Sequence, residues 1–336
     1  MKNLLVTGGA GFIGSNFINY ILNSRNDLFI INIDKLTYAG NLENLKTSEK
    51  NENYVFVKAD IYNHELVKYV FEKYSIDYVI NFAAESHVDR SILSSEIFYR
   101  TNVLGTNVLL EYSKEFKIDK FIQISTDEVY GSLGKEGLFT EKTQLSPNSP
   151  YSSSKAAADL MALSFYHTYN VPVLITRCSN NYGPYQFPEK LIPLMIINAM
   201  NNKRLPVYGD GLNVRDWIYV EDHCRAIEAV LLNGKPGEVY NVGASSEKEN
   251  IKIVKLILEK LNKPESSIEF VKDRLGHDRR YAIDSSKIQN ELGWKPLYTF
   301  ENSITRTIEW YLENKKWWQN ILNGEYLEYY KLQYNS

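Results

Sequence analysis

The stretch that decides the fold reads Thr7-Gly8-Gly9-Ala10-Gly11-Phe12-Ile13-Gly14. It follows a short apolar strand and opens a helix, and three of its glycines are spaced as G-x-x-G-x-x-G. The first permits a tight turn, the second lets the backbone approach a pyrophosphate, and the third lets the helix pack close to the strand. The motif predicts a dinucleotide site, with a purely structural turn as the alternative.

An acidic residue ends the next predicted strand. Asp34 lies twenty residues after Gly14, where a carboxylate accepts both ribose hydroxyls of NAD and repels the 2′-phosphate of NADP. Lys35 weakens that preference, because a neighbouring base can accept the phosphate. Asp60 and Ile61 follow the third strand and are placed to hold the adenine edge. We therefore expect NAD as the cofactor.

Strands and helices alternate up to about residue 180. Apolar strands are predicted over residues 4–7, 29–33, 55–59, 78–82, 121–125 and 173–177, and helices over residues 15–23, 64–74, 97–116 and 152–169. Such alternation implies right-handed βαβ units whose strands are buried on both faces. The fold class predicted is α/β: a Rossmann-type doubly wound parallel sheet with a smaller α/β C-terminal substrate lobe.

The pattern changes after about residue 180, where prolines interrupt the chain. Short strands are predicted over residues 205–208 and 268–271, and helices over residues 251–261 and 303–311. We expect a Rossmann domain over residues 1–180, with a returning segment near residues 210–245 that includes a strand over residues 239–242. Residues 181–336 then form mainly the second lobe.

The composition excludes several classes of function. The 336 residues carry a net charge of −3, which gives no footprint for nucleic acid or an anionic membrane. No uncharged apolar run approaches the ~18 residues needed to span a bilayer. Cys178 and Cys224 are far apart in sequence and the histidines lack metal-ligand spacing, so we expect no disulfide, no metal and a cytoplasmic protein.

A tyrosine and a lysine form the first candidate catalytic pair. Tyr151 and Lys155 are spaced to share one face of a helix. A phenol titrates near ~10, and a lysine cation within about 4–6 Å lowers that pKa by about 1–3 units, with a bound nicotinium lowering it further. The alternative is an exposed Tyr and Lys on a helix surface.

Two adjacent carboxylates follow the strand that precedes this helix. Thr126, Asp127 and Glu128 come directly after residues 121–125, at the edge of the sheet where ligands bind in such folds. A solvated loop pair is the alternative reading. Beside a Tyr/Lys pair, the two carboxyls instead resemble an acid and a base whose pKa values are separated.

Eight motifs of the chain resemble those of the dTDP-glucose 4,6-dehydratases, in the extended short-chain dehydrogenase/reductase superfamily: TGGAGFIG, IDKLTYAGN, NFAAESHVDRSI, STDEVYG, YSSSK, RCSNNYGPYQFPEKLIP, RLPVYGDGLNVRDWIYVEDH and DRLGHDRRYAID. The resemblance covers residues 1 to about 310. The glycine motif and Tyr-x-x-x-Lys belong to the whole superfamily. Thr-Asp-Glu is more specific, since a 4-epimerase usually carries small residues in place of Asp127 and Glu128.

The resemblance implies conversion of dTDP-glucose to dTDP-4-keto-6-deoxyglucose and water. Tyr151, with its phenolate stabilised by Lys155, takes the proton of the sugar 4-hydroxyl while NAD removes hydride from C4, and Thr126 hydrogen-bonds that oxygen. Glu128 removes the acidified C5 proton and Asp127 protonates the departing 6-hydroxyl, after which hydride returns to C6. The implied context is deoxysugar biosynthesis, such as that of dTDP-L-rhamnose.

The resemblance also implies the binding residues, and makes residues 181–336 mainly a nucleotide-sugar-binding lobe. The cofactor set is Gly8, Gly11, Phe12, Ile13, Gly14, Asp34, Lys35, Thr37, Asp60, Ile61, Ala83, Ala84, Thr101, Tyr151, Lys155 and Asn181. The substrate set is Ser86, Thr126, Asn180, Lys190 and Leu191 near the glucose and diphosphate, Pro206, Val207 and Tyr208 at the nucleobase, and Arg215, Asn250, Arg274 and His277 at the diphosphate and ribose. The chain departs from the family at Leu275, where proline is usual.

A homodimer is the expected assembly. Helices 97–116 and 152–169 carry more apolar residues than one sheet face needs, and the family pairs them in a four-helix interface; the residues are Val103, Leu104, Val108, Leu109, Leu160, Met161, Leu163 and Phe165. The alternative functions are a UDP-glucose 4,6-dehydratase, a UDP-glucuronate decarboxylase, a 4-epimerase, or a regulator that binds NAD without turnover.

Overall fold

The structure, a computed structural model, describes residues 1–322, and the end of the predicted second lobe, residues 323–336, lies outside the described part. The strands are β1 (Lys2–Thr7), β2 (Leu28–Asp34), β3 (Tyr54–Lys58), β4 (Tyr78–Asn81), β5 (Lys120–Thr126), β6 (Val173–Cys178), β7 (Asn180–Tyr182), β8 (Leu205–Tyr208), β9 (Val214–Tyr219), β10 (Val239–Val242), β11 (Glu247–Glu249) and β12 (Ile268–Val271).

The helices lie between these strands. They are α1 (Phe12–Ser24), α2 (His64–Tyr74), α3 (Val88–Leu93), α4 (Glu96–Phe98), α5 (Thr106–Glu115), α6 (Pro150–Tyr169), α7 (Leu191–Met200), α8 (Val220–Asn233), α9 (Asn250–Lys260), α10 (Ser286–Leu292), α11 (Phe300–Glu313) and α12 (Lys315–Leu322).

Seven parallel strands form the large sheet, in the order β10-β6-β5-β4-β1-β2-β3. The predicted Rossmann-type sheet is therefore confirmed, including the strand over residues 239–242, which pairs with β6. The strand order reverses between β1 and β4, and a reversal of this kind opens a crevice at the carboxyl ends of the strands. Apolar side chains cover both faces of the sheet, so the strands are almost fully buried.

A second apolar core holds the smaller lobe. It packs α7, α9, α11 and α12 against two small sheets, β11-β9-β7 and β12-β8. The predicted strands over residues 205–208 and 268–271 are confirmed as partners. The sequence did not reveal β7 and β11, because Asn-Asn-Tyr and Glu-Lys-Glu carry no apolar strand pattern.

The continuous α-helix predicted over residues 97–116 is wrong in detail. A π-helical turn, Tyr99–Gly105, separates α4 from α5. Within it, Asn102 bonds the backbone N–H and C=O of Glu85 at 2.8 and 3.0 Å, and donates to Ser154 Oγ at 2.8 Å. π-turns commonly serve functional sites, and this one ties the loop after β4 to α6.

The central helix α6 begins where the sequence specifies it. Ser149 caps the helix and exchanges hydrogen bonds with Ser152, with Pro150 in the first turn. This start places Tyr151 and Lys155 on the buried side, against the sheet. The predicted pair therefore does not lie on an exposed helix face.

The apolar surplus predicted on the two helices is smaller than expected. Val108, Leu109 and Phe165 are buried in the chain's own core, because they pack against β5 and neighbouring strands. Leu104 and Leu160 are the members of the set that remain exposed, at 48% and 58%.

Candidate active site

One cavity opens at the carboxyl ends of the central strands. The predicted residues that it brings together are Gly8, Gly11, Phe12, Ile13, Gly14, Asp34, Lys35, Thr37, Asp60, Ile61, Ala83, Ala84, Ser86, Thr101, Thr126, Asp127, Glu128, Tyr151, Lys155, Asn180, Asn181 and Lys190. These come from eight separate stretches of the chain, and the strand order places them at one edge. The candidate cofactor residues and the candidate catalytic residues therefore share one space.

The glycine turn after β1 is shaped by close backbone contacts. Gly8 has φ +70°, and a Cβ built on it would lie 2.6 Å from the backbone nitrogen of Ala83. A Cβ on Gly14 would lie 2.4 Å from the carbonyl oxygen of Gly8. Both positions therefore require glycine, and the N-terminus of α1 faces the cavity with its backbone exposed.

Asp34 is held by backbone groups rather than by a cation. Its two carboxyl oxygens accept hydrogen bonds from the N–H of Ala10 at 2.9 Å and of Leu36 at 2.8 Å. Burial raises its pKa, and these two hydrogen bonds oppose that rise. The carboxylate lines the cavity beside the glycine turn, where it is positioned to accept a pair of ribose hydroxyls.

Lys35 has a partner at this end of the cavity. Its ammonium nitrogen lies 3.1 Å from Asp60 Oδ2, at the end of the neighbouring strand. The lysine is thereby drawn toward an acid and not left free for a 2′-phosphate. A dinucleotide without a 2′-phosphate fits this end of the cavity, because the glycine turn has no room for a Cβ, Asp34 is held by backbone N–H groups, and Lys35 is paired with an acid.

The environment of Tyr151 differs from the one that the sequence predicts. Its pKa is raised well above the ordinary phenol value, because it is buried and because Glu128 and Asp127 lie close by. Lys155 donates to the carbonyl oxygen of Ile124 at 2.6 Å, and burial lowers its own pKa. The prediction that Lys155 lowers the pKa of Tyr151 is therefore wrong for this chain by itself, since burial and two carboxyls outweigh the cation.

Asp127 occupies a site that favours its protonated form. Its side chain is 1% exposed, and burial together with the charges of Glu128 and Asp216 raises its pKa well above the usual range. One oxygen accepts from Thr126 Oγ1 at 3.2 Å. The other has no hydrogen-bond partner among residues 1–322. A carboxylic acid with an unpaired oxygen facing a cavity is equipped to donate a proton.

Glu128 is surrounded mainly by cations rather than by other carboxyls. Burial raises its pKa, but Arg274, Arg215 and Lys190 all act to lower it. Three nearby cations favour the ionised form of Glu128, whereas the neighbouring Asp127 has a like charge on its other side. The pKa values of both carboxyls are raised, that of Asp127 more strongly, and the assignment of one as acid and the other as base stays a prediction.

Asp216 is a functional neighbour that the sequence did not single out. It lies on β9 and accepts a hydrogen bond from the N–H of Ser246 at 2.6 Å, while its other oxygen is buried without a partner in the described chain. Its charge acts on Asp127. Its position beside Arg215 in the motif was the available signal, but only the packing of β9 against β7 brings it to the site.

Three residues predicted to bind the nucleotide lie outside the cavity lining, and we call them the nucleotide end of the site: Tyr208, Arg274 and His277. Tyr208, the last residue of β8, donates to Asp89 Oδ2 at 3.2 Å, and its ring meets the His277 ring edge-on with 6.2 Å between centroids. Arg274 Nη1 lies 3.5 Å from Asp89 Oδ1. The structure thus brings Tyr208, Arg274 and His277 together as the resemblance implies, with Asp89 joining them from α3.

The remaining predicted substrate residues are placed less directly. Arg215 stacks on Tyr281, with 4.3 Å between the guanidinium carbon and the ring centroid, and donates to the carbonyl of Asp278 at 2.9 Å. Asn250 opens α9 with a buried, unpartnered Oδ1 among residues 1–322. Leu191 and Val207 pack into the apolar core of the small lobe, and Pro206 is buried next to Val207 on β8.

Among the lining residues that were not predicted, three are titratable. Glu85 and Glu189 are carboxyls whose pKa values burial raises, and Glu189 accepts from Tyr38 at 3.1 Å. Cys178 ends β6 with its pKa raised to about 12 by burial, so it is a thiol at neutral pH. Each sits inside a motif already noted, and adjacency to Ser86, Lys190 and Asn180 was the signal that could have found them.

Within residues 1–322, no group of three His, Cys, Asp or Glu side chains is arranged to hold a metal ion. In the same part of the chain, no helix combines the length and apolar character needed to cross a membrane.

Comparisons with known proteins agree with this site. A family model described as GDP-mannose 4,6 dehydratase matches residues 5–307. The dTDP-glucose 4,6-dehydratase of Xanthomonas campestris pv. campestris (strain B100) is 53% identical, over 97% of this chain and 97% of its own.

Two solved structures extend the comparison. The dTDP-glucose 4,6-dehydratase of Bacillus anthracis, in complex with NAD, is 55% identical with a TM-score of 0.90, covering 96% of this chain and 100% of that one. The Streptomyces venezuelae enzyme, also with NAD bound, is 45% identical with a TM-score of 0.93, covering 95% and 99%. With matches along nearly the whole of each chain, the protein belongs to the dTDP-glucose 4,6-dehydratases, within the broader family of that GDP-mannose 4,6 dehydratase model.

Proposed function

We propose that the chain is an NAD-dependent hydro-lyase that converts dTDP-glucose to dTDP-4-keto-6-deoxyglucose and water. The observation that carries the proposal is the pair Asp127 and Glu128, adjacent in sequence and lining one cavity with Tyr151. Burial and like charges raise the pKa of Asp127 well above its usual range, whereas three cations oppose the rise that burial causes in the pKa of Glu128. An elimination across two neighbouring carbons needs such an acid and such a base. The names of the relatives supply the substrate.

NAD is the cofactor that this site would hold. The glycine turn would receive the pyrophosphate, and Asp34 would accept the ribose hydroxyls. Bound NAD supplies a hydride acceptor at C4 of the sugar and a hydride donor at C6, so that the reaction has no net redox change. The ammonium group of Lys155 donates to the carbonyl oxygen of Ile124, and Lys155 lines the same cavity as Tyr151 and the predicted cofactor residues.

The first half-reaction is oxidation at C4. Tyr151 takes the proton of the 4-hydroxyl, since it is the phenol that lines the cavity beside Lys155. Its raised pKa makes the neutral phenol the resting form, so the proton leaves only with the help of cations in the loaded site. Thr126 lies next to both Tyr151 and Asp127 and holds the same oxygen of the sugar.

The second half-reaction is loss of water. The 4-ketone acidifies the proton at C5, and Glu128 removes it with Arg274, Arg215 and Lys190 favouring its ionised form. Asp127 gives its proton to the 6-hydroxyl, which leaves as water, and a C5–C6 double bond forms. The hydride then returns to C6 and a proton to C5, which completes the 6-deoxy sugar.

The test is product analysis with three nucleotide sugars. The purified chain is incubated with dTDP-, UDP- and CDP-glucose, and the 4-keto product is followed by its absorbance in alkali. We expect dTDP-glucose to have the highest kcat/KM, with UDP-glucose lower by the ~1–3 kcal/mol that one methyl group is worth. An epimerised product, or binding without turnover, would overturn the proposal.

We propose further that the chain forms a homodimer through α5, α6 and the π-turn before α5. Leu104 and Leu160 support this, because they are exposed on two elements, the π-turn and α6, that pack against each other. Sedimentation at micromolar concentration tests it. Leu104→Glu with Leu160→Glu should produce monomers, whereas Leu66→Glu, a leucine exposed on α2, should not. A stable wild-type monomer would contradict the proposal.

The cytoplasm is the compartment that we propose. Cys178 and Cys224 are both buried and both free, as a reducing compartment requires. Cell fractionation tests this placement, and recovery of the chain in a secreted fraction would contradict it.

A further inference from the structure

Asp89 stands where the two parts of the molecule meet. It lies in the first turn of α3, which packs on α6 beside the large sheet. Its side chain is 9% exposed and points at two residues of the smaller lobe. Asp89 is absent from the cavity lining and has no part in the proton transfers proposed above, so its buried charge calls for another explanation.

The first contact is with the aromatic residue at the nucleobase position. Tyr208 Oη donates to Asp89 Oδ2 at 3.2 Å. Tyr208 ends β8, and its ring also meets His277 edge-on. A hydrogen bond at the tip of the ring limits how the ring can rotate, and so sets the plane that a base could stack on.

The second contact is with a guanidinium at the diphosphate position. Arg274 Nη1 lies 3.5 Å from Asp89 Oδ1, while Arg274 Nε is buried with no hydrogen-bond partner in the described chain. Asp89 therefore holds one edge of a group that has five donors. The remaining donors stay available for the two oxygens of an anionic ligand.

We infer that Asp89 is a positioning residue for the nucleoside diphosphate of the substrate, holding the ring of Tyr208 and the guanidinium of Arg274 in the orientation that binds it. The inference rests on the proposed function, because Tyr208 and Arg274 are substrate residues only under that proposal. Asp89 itself touches neither the sugar nor the cofactor.

This role differs from a purely structural ion pair in what it predicts. A structural pair would affect folding and every activity alike. A positioning residue acts on the nucleotide and leaves the chemistry at the sugar intact, because the reacting atoms lie at Tyr151, Asp127 and Glu128. The kinetic signature is therefore a change in KM with kcat preserved.

The first experiment compares Asp89→Asn with the wild type. Asparagine keeps the shape and removes the charge. We expect Kd for dTDP alone and KM for dTDP-glucose each to rise about tenfold, because a hydrogen bond to a charged acceptor is worth more than one to a neutral acceptor, with kcat within twofold and NAD affinity unchanged. Glu96→Gln is the matched control, an exposed carboxylate on α4, and should change none of these.

A double-mutant cycle tests whether Asp89 acts through the ring. Tyr208→Phe removes the hydroxyl that donates to Asp89 and keeps the aromatic face. If the two residues act as a unit, the loss of dTDP affinity in the double variant is smaller than the product of the two single losses. If the two single losses multiply in the double variant, their effects are independent, and Asp89 does not act through Tyr208.

The outcomes separate the inference from the proposed function. A wild type that binds dTDP, with an Asp89→Asn variant that binds it equally well or more tightly, overturns the inference alone. A fall in kcat with KM unchanged, or a parallel loss of NAD affinity and thermal stability, also overturns it, because either means a structural role. A wild type that does not bind dTDP overturns the proposed function and the inference with it.

Discussion

The cofactor end and the nucleotide end of the site are held by different means. At the cofactor end the backbone positions the side chain, since Asp34 accepts from the N–H groups of Ala10 and Leu36. At the nucleotide end side chains position one another, since Tyr208 and Arg274 both meet Asp89.

The difference shows how each end should respond to change. Backbone donors belong to the strand and turn that form the fold, so they stay in place as long as the sheet exists. Side-chain contacts between lobes can be lost one at a time, each at a modest cost in affinity. A single substitution at the cofactor end should therefore weaken cofactor binding strongly, whereas one at the nucleotide end should weaken substrate binding only modestly.

The largest effect should arise between the two ends, at Asp127. Asp127→Asn keeps the shape and removes the acid, so turnover should fall by about 10²–10⁴-fold. Bound NADH should then accumulate on mixing with dTDP-glucose, measured by stopped-flow absorbance, while the affinities of both ends stay unchanged. Tyr151→Phe is the contrasting variant and should give no NADH signal. An Asp127→Asn variant with wild-type turnover would favour an epimerase or a decarboxylase.

The next effect belongs to the cofactor end. Asp34→Ala should weaken NAD binding by roughly 10²-fold, because two hydrogen bonds to a charged group are lost, each worth about 1.5–3 kcal/mol before compensation. Discrimination against NADP should relax as well. Titration of both cofactors, with Glu52→Ala as a control at an exposed carboxylate before β3, far from the cavity, measures this. Unchanged NAD affinity would mean that Asp34 only ends a strand, and would remove the contrast between the two ends.

A pH profile sharpens the contrast between the carboxyls themselves. The elimination needs Asp127 protonated, so its rate is lost as pH rises through the raised pKa of Asp127; it needs Glu128 ionised, so the rate is also lost as pH falls through the pKa of Glu128. Asp216→Asn removes a charge that holds the pKa of Asp127 up. In Asp216→Asn, we measure the rate at which bound NADH decays in a single turnover as a function of pH. The loss of rate on the basic side should occur at lower pH than in the wild type, whereas the loss on the acidic side should stay at the same pH. A parallel shift of both limbs would argue against this assignment.

The smallest effect is expected at Leu275, in the loop of the nucleotide end. Leu275 is 75% exposed, its φ is not positive, and its N–H donates no hydrogen bond to any residue in the described part of the chain. Leu275→Pro should restrain Arg274 and lower KM for dTDP-glucose about two- to fivefold, since proline at a compatible position reduces the freedom of the unbound loop. Leu275→Ala is the control and should leave KM unchanged. A rise in KM with proline would mean that the loop must move to bind.

The two catalytic pairs show where sequence reasoning succeeded and where it failed. The position of Asp127 and Glu128 after a strand predicted an acid and a base, and the structure places both in the cavity with a more strongly raised pKa for Asp127. For Tyr151, the neighbouring Lys155 suggested a lowered pKa, whereas the structure shows a raised one. Spacing along a helix indicates which groups are near, but the degree of burial decides which effect is larger.

The sequence by itself determined the parallel sheet, the glycine turn with Asp34 and the candidate catalytic residues Tyr151, Lys155, Asp127 and Glu128. Each depends on a local pattern: apolar strands, glycine spacing, or residues within one helical turn. Only the tertiary structure decided that Asp216 stands beside Asp127 and that Asp89 meets Tyr208 and Arg274. Those contacts join residues far apart in the chain, and they exist only because strand order and the packing of the smaller lobe bring them together. No local pattern records such a contact, since each residue alone is an ordinary charged or aromatic side chain.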